Sequence, residues 1–417
     1  MKRLVFVLLI GLLTMNVMGQ DESMPDDVNP DLVAGNTDFA FDLYQVLPKS
    51  DADNLLVSPY SISQAFAMAY AGAEGDTETE MATVMGFTLP EDAFHPAFAD
   101  LNTNLTEREY DAFLTENSDS STFQINIANA VWGQQGYPFA AEYIGLLDDF
   151  YGGGFRDVDF QADPEAAREA VNAWVAEQTE DRIEDILPSG SVDADTRMVL
   201  ANAIYFNASW MTPFNEAVTQ DAPFTLLDGE QVNVPLMTQM NNMLYTDGEN
   251  YQAAQLPYFG GDTSMVVILP DEGAFNDVDA ALDAALFTEI RDALAGSGQV
   301  TVFLPRFEYE FNLSLGPVMS QLGMEQAFDR ANANFSGMVS ESTGENLYIG
   351  EASHKAFIKV DEEGTEAAAA TALTIGSTTA MTSEPIVFRV DRPFMFAIVD
   401  NVTGSVLFVG RVVNPVG

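Results

Sequence analysis

Ala367 to Ser383 reads AAAATALTIGSTTAMTS, a run with no charge and no proline, bracketed by Glu366 and Glu384. Charged residues make up 19% of the chain, so a gap of this length asks for a cause. Taken as a flexible linker, the run leaves its lack of charge unexplained. Taken as a helix seeded by the four alanines, it holds from Glu366 to Leu373. It fails at Thr374-Ile375-Gly376-Ser377-Thr378, where helix formers are scarce. Taken as a strand, it obeys the two-residue period. Thr365, Ala367, Ala369, Thr371, Leu373 and Ile375 then share one face, and Glu366, Ala368, Ala370, Ala372, Thr374 and Gly376 share the other. The first face can be buried throughout; the second carries the only charge. The segment can enter a sheet without burying a charge, yet its small side chains give it little to hold it in one place.

On the C-terminal side of this run, Ile386–Val390, Phe394–Val399 and Val406–Val412 are apolar runs of strand length, with Asn401 to Gly404 as the turn between the last two. Upstream, Phe123–Trp132, Arg197–Trp210, Met265–Leu269, Val300–Leu304 and Ala356–Val360 also read as strands. Thr37–Leu47 places Phe39, Leu43 and Val46 at helical spacing. Ser58 is a natural N-cap and Pro59 a natural first residue for a helix over Tyr60–Ala71. Residues 92–122 are acidic and read as helical in part. Pro164–Ile186 reads as an amphipathic helix. Helices lead and strands dominate the end, which points to an α+β fold in one domain over residues 37–417.

Composition excludes several functions. Lys2 and Arg3, the apolar run Leu4–Leu13 and the small residues near Gly19 form an export signal over residues 1–19, too short to span a bilayer. Residues 20–36, acidic and broken by Pro25 and Pro30, read as a flexible tether. With no cysteine, disulfides, thiolate catalysis and cysteine-ligated zinc are impossible. Two histidines, His95 and His354, cannot build a multi-histidine metal site, and neither sits in a recognisable catalytic motif. No cofactor and no metal is expected, and a hydrolytic enzyme is disfavoured. The formal net charge of −48 repels phosphate backbones, which argues against nucleic-acid binding. Calcium-loop spacing of the DxDxDG type is absent.

Glu362-Glu363-Gly364-Thr365-Glu366-Ala367-Ala368-Ala369-Ala370-Thr371 resembles the hinge of inhibitory serpins. Other pieces match the family in order: Asn54–Gly86; Leu200–Phe214 with Trp210; Leu269-Pro270-Asp271-Glu272-Gly273; Leu304-Pro305-Arg306-Phe307; Arg392-Pro393-Phe394-Met395-Phe396; and Phe408–Pro415. The resemblance covers nearly everything after residue 36. It implies three β-sheets, about eight or nine helices and an exposed reactive loop at about 362–385. It also implies a secreted, monomeric inhibitor that acts as a suicide substrate. A target serine protease cleaves the loop and forms an acyl-enzyme, and the freed loop then inserts into the main sheet. The hinge would comprise Glu362, Gly364, Thr365, Glu366, Ala367, Ala368, Ala369 and Ala370, with Gly364 giving backbone freedom at the pivot. Ser58, Ser61, Asn202 and His354 would form the shutter beneath the opening sheet, with Trp210 at the breach above it.

The family spacing counted forward from Gly364 puts the reactive bond at Thr378-Thr379. Counted back from Pro393 it falls at Thr382-Ser383, and Met381 lies between. No basic residue stands between Lys359 and Arg389. A trypsin-like target is therefore disfavoured and an elastase-like or subtilisin-like one expected. Glu107, Arg108, Glu109, Asp111 and Glu116 occupy the region where heparin-activated members are basic, so no heparin activation is expected. The alternative is a non-inhibitory serpin, a carrier, chaperone or protease substrate. The hinge argues against it, since Ala367 to Thr371 holds no bulky, charged or proline residue.

Overall fold

Asn29 accepts hydrogen bonds from the backbone N–H groups of Asp31 and Leu32, and Pro30 follows as the first residue of helix α1, Pro30–Val46. The helix thus starts well before Thr37, and the tether expected over 20–36 gives way to it. Val28, Leu32 and Val33 are buried, and their burial against the core outweighs the local proline and acidic signals. The computed structural model describes residues 24–107, 123–340, 346–365 and 385–416. The signal segment 1–19 lies outside these residues, as do Arg108, Glu109, Asp111 and Glu116.

Eight further α-helices follow among the described residues. They are α2 (Pro59–Tyr70), α3 (Gly75–Met85), α4 (Glu91–Thr106), α5 (Ala141–Tyr151), α6 (Pro164–Gln178), α7 (Phe275–Ala281), α8 (Ala284–Ala293) and α9 (Leu315–Leu322). Ser58 caps α2 as expected, its hydroxyl accepting from Ser61 N–H. Helix α6 stops at Gln178 rather than reaching Ile186. The Thr179 hydroxyl donates to the Val175 carbonyl and accepts from Ile183 N–H, and Glu180 and Asp181 turn to positive φ of 53° and 60°. The apolar residues Ile183, Ile186 and Leu187 are buried in the irregular segment that follows. Their spacing imitated a helix because the segment packs one side on the sheet.

Fifteen strands run in chain order: β1 (Leu55–Val57), β2 (Phe123–Gln134), β3 (Phe155–Val158), β4 (Met198–Ser209), β5 (Gln220–Thr225), β6 (Gln231–Asp247), β7 (Tyr251–Pro257), β8 (Thr263–Pro270), β9 (Ala295–Pro305), β10 (Phe307–Ser314), β11 (Glu351–Val360), β12 (Gly364–Thr365), β13 (Ile386–Arg389), β14 (Phe394–Asp400) and β15 (Val406–Val412). One sheet has the order β10-β11-β12-β4-β2-β3. The other has the order β1-β15-β14-β8-β7-β6-β9-β13, with β5 on β6. The three sheets expected are therefore two among the described residues. The long strand β6 joins the second and third, pairing with β5 over its first part, with β9 from Leu236 to Tyr245 across a bulge at Asn242/Leu244, and with β7 from Leu244 onward.

Strand β4 carries the six-stranded sheet's two interiors. Leu200, Ile204, Phe206 and Ala208 face the main core, while Val199, Ala201 and Ala203 face a smaller cluster beneath Ala167, Val171 and Val175 of α6. Any strand added beside β4 is therefore buried on both faces. No helix among the described residues is long and apolar enough to cross a membrane.

Candidate functional site

Strands β4 and β11 form a seam whose two ends differ. At the lower end they pair directly and in parallel, from Glu351↔Val199 to Ala356↔Ile204. At the upper end β12 lies between them, with Gly364 opposite Ser209 and Thr365 opposite both Ala208 and Val360. Val360 and Ala208, which flank Thr365, stand in the same relative register as Glu351 and Val199. A strand entering between β4 and β11 thus meets one consistent register from top to bottom.

The hinge residues at the upper end are held from several sides. Thr365 is buried, and its hydroxyl shares a 2.7 Å hydrogen bond with the Tyr258 hydroxyl. Tyr258 stacks on Trp210, ring centroids 4.6 Å apart and planes within 7°. Trp210 Nε1 donates to the Asp361 carbonyl at 2.9 Å, and its backbone N–H donates to Glu363 O at 2.8 Å. Glu362 is buried beside Arg306, whose guanidinium donates to its carboxylate at 2.6 Å, and it also accepts from the Thr219 hydroxyl. Burial works to raise the Glu362 carboxyl, but the bonds from Arg306 and Thr219 outweigh it and hold it below the usual glutamate range.

Gly364 is needed for a reason other than the one its sequence suggests. Its φ does not lie in the left-handed region, so no special backbone freedom is used. A Cβ there would instead lie 2.1 Å from the Ala208 carbonyl oxygen, so only glycine lets the hinge backbone approach β4 this closely.

The lower end is closed by a polar network around His354, which is fully buried. Its Nε2 accepts from Ser58 N–H at 3.2 Å, so the ring proton sits on Nδ1 and donates to Asn202 Oδ1. The Asn202 amide donates to Ser61 Oγ at 2.7 Å and to Asn129 Oδ1. Asn129 in turn donates to Ser61 O and Gln64 Oε1. Burial pushes the His354 imidazole down to about 3, against the opposing pull of its bond to Asn202. It is neutral at ordinary pH, as the acceptor role of Nε2 requires.

The structure thus brings together Ser58, Ser61, Asn202 and His354 in one network, and Trp210, Glu362, Gly364 and Thr365 in another. Glu366, Ala367, Ala368, Ala369 and Ala370 of the hinge lie outside the described residues, as do Thr378, Thr379, Met381, Thr382 and Ser383 of the reactive bond. Sequence reading missed Asn129, Thr219, Tyr258 and Arg306. Only Arg306 carried a local signal, standing in the quoted Leu304–Phe307 piece. The other three are joined to the network by contacts 68 to 143 residues away in the chain.

A family model described as "Serpin (serine protease inhibitor)" matches residues 34–415. An uncharacterized serpin-like protein of Thermococcus kodakarensis is 39% identical over 378 residues, covering 90% of this chain and 84% of its own. The leukocyte elastase inhibitor of Equus caballus is 35% identical over 395 residues, covering 92% and 99%. The crystal structure of uncleaved ovalbumin matches with a TM-score of 0.81 at 30% identity, covering 92% of this chain and 100% of that one.

Proposed function

The chain belongs to the serpin family, and from that premise we propose that it inhibits serine proteases by inserting its cleaved reactive loop between β4 and β11. The observation that carries this reading is Thr365, already seated as a strand residue between Ala208 and Val360. On insertion, the same register would put Ala367 beside Phe206, Ala369 beside Ile204, Thr371 between Asn202 and His354, and Leu373 beside Leu200. These loop side chains would meet the main core. On the other face, Glu366 would stand next to Lys359 at the rim, and Ala368, Ala370 and Ala372 would pass beneath α6. Every position bound for the interior is small or apolar, and the one charge meets a lysine.

Insertion beyond Ala368 must separate the parallel pairs from Ala356↔Ile204 down to Glu351↔Val199. Two new ladders replace one, and the loop's apolar face leaves water, so the inserted state gains both hydrogen bonds and buried area. Intact, the loop is tethered at both ends and cannot travel. Cleavage frees its N-terminal part. A protease still esterified to that end would be carried along before it deacylates.

We place the reactive bond at Thr378-Thr379, with Met381, Thr382 and Ser383 as alternatives, and read the target as elastase-like or subtilisin-like. A relative named for leukocyte elastase supports this, as does the lack of any basic residue between Lys359 and Arg389. In this reading the export signal over 1–19 directs secretion, and the protein acts as a monomer. Mixing the protein with elastase, subtilisin and trypsin should give a denaturant-resistant covalent complex on a gel with the first or second. Mass spectrometry of the released peptide names the bond. Clean cleavage without any complex, by every protease tried, would favour a non-inhibitory serpin instead.

A further inference from the structure

Two of the chain's other charge-free stretches form neighbouring strands that are not simply buried. Residues 231–246 form most of β6, and residues 293–305 include all of β9. They pair with each other, and β9 pairs with β13, the strand that follows the reactive loop. The charge-free runs 54–73 and 198–210 are buried almost throughout, so absence of charge there needs no further cause. Strands β6, β9 and β13 are different, because alternate residues point away from the core. Register aligns them in rows: Thr238 with Phe303 and Arg389, and Met240 with Thr301 and Val387. Met240 is 50% exposed and Val387 57% exposed. Arg389 lies over the Phe303 ring at 4.9 Å and is neutralised by Asp391. In a chain of net charge −48, these six outward positions carry no carboxylate.

We propose that this outer face of β6, β9 and β13 is a docking surface for the body of the target protease. The inference rests on the inhibitory reading above. Its occupant follows from continuity. Ile386 and Val387 directly follow the loop's C-terminal anchor, so a protease holding the loop in its active site must overhang this face. A carboxylate-rich surface there would desolvate charges against the arriving enzyme without partners. An uncharged face with two exposed apolar anchors lets the encounter bury area instead. This surface would add to loop recognition by speeding capture, with no part in the insertion that follows.

The test compares Met240→Glu, Val387→Glu and the double variant with wild type, using whichever protease the wild type traps. Thermal melting of each variant confirms that the fold is intact, since both side chains are solvent-facing. The expected result is a second-order rate of complex formation lowered several-fold by each change and by about tenfold or more by both. The number of inhibitor molecules used per protease should stay unchanged, and Met240→Leu should keep the wild-type rate. Equal rates for all variants overturn the proposal and leave the inhibitory reading standing. If the wild type traps no protease, the inhibitory reading fails and this proposal falls with it. A change in sedimentation between wild type and the double variant, with trapping unaltered, assigns the face to a second copy of the chain and also overturns it.

Discussion

At the upper end of the β4–β11 seam a new strand has begun; at the lower end the same two strands are still joined directly. The upper end is held by a stacked Trp210–Tyr258 pair, a hydroxyl on Thr365 and the Arg306–Glu362 ion pair. The lower end is held by amide, hydroxyl and imidazole groups shared among Ser58, Ser61, Asn129, Asn202 and His354. The difference teaches where each kind of bond is useful. Directional bonds that must all break together suit a closure that opens once. Stacking and a partly exposed ion pair suit a place that is already open and needs only an edge to follow.

The largest effect should come from placing a charge at the upper end. Thr365→Arg puts a guanidinium where the hydroxyl meets Tyr258, in a position with no room and no carboxylate partner in the contacts of Thr365. The fold should survive, with the hinge displaced. Covalent complexes should fall below detection while cleavage continues, turning inhibitor into substrate. Complexes formed at the original stoichiometry would mean the upper end plays no part in trapping.

Next in size is the response to nicking. Cleavage between Thr378 and Ser383 should raise the thermal midpoint sharply, because the freed strand fills the whole seam. An ordinary nicked loop leaves stability level or slightly lower. Equal melting of intact and nicked protein would show that the lower end does not open.

A smaller effect should follow Asn202→Ala. It strips the partner from His354 Nδ1–H and removes the donor to Ser61 and Asn129, leaving buried polar atoms unsatisfied, at about 3 kcal/mol. Urea unfolding measures this. The same variant should insert its loop more readily on mild heating, which gel mobility after warming would reveal.

The smallest expected effect is the pH response. His354 is held near 3 when folded, against about 6.5 in the unfolded chain. The unfolded state therefore takes the proton first. Stability from this group is present above pH 6.5 and declines as pH falls toward 3. Between pH 6.5 and 5 the loss should be about 2 kcal/mol. His95, pushed by burial down to about 4, adds a loss of the same sign. Replacing His354 by Gln should remove its share, so the urea midpoints of variant and wild type should converge as pH drops. Parallel midpoints across that range would assign the response elsewhere.

How much of this was legible in the sequence depends on how local each signal is. Ser58 as a cap and the strands at β2, β4, β8, β14 and β15 all rest on neighbours within a few residues. Strands β5, β7 and β10 went unread because polar side chains such as Gln220, Gln252 and Glu308 alternate along them, and β6 because Asn and Gln interrupt its apolar positions. The start of α1 was hidden by Pro25 and Pro30, which signal a tether when read alone and a helix start when Asn29 is seen as the cap. Gly364 drew notice in the sequence, but its close approach to the Ala208 carbonyl is something no local pattern could reveal.

The uniform register along the seam also works as a ruler. From Ala208 down to Val199 the groove beside β4 is roughly 30 Å long at the usual rise of a strand. The loop residue that meets Val199 in this register is Thr374, still short of Thr378. A protease fastened at Thr378 would thus be hauled past the foot of the sheet rather than left against its side. If the proposed insertion occurs, β4 and β11 rather than the enzyme would set the length of the tow, and a load of any size would stop at the same mark.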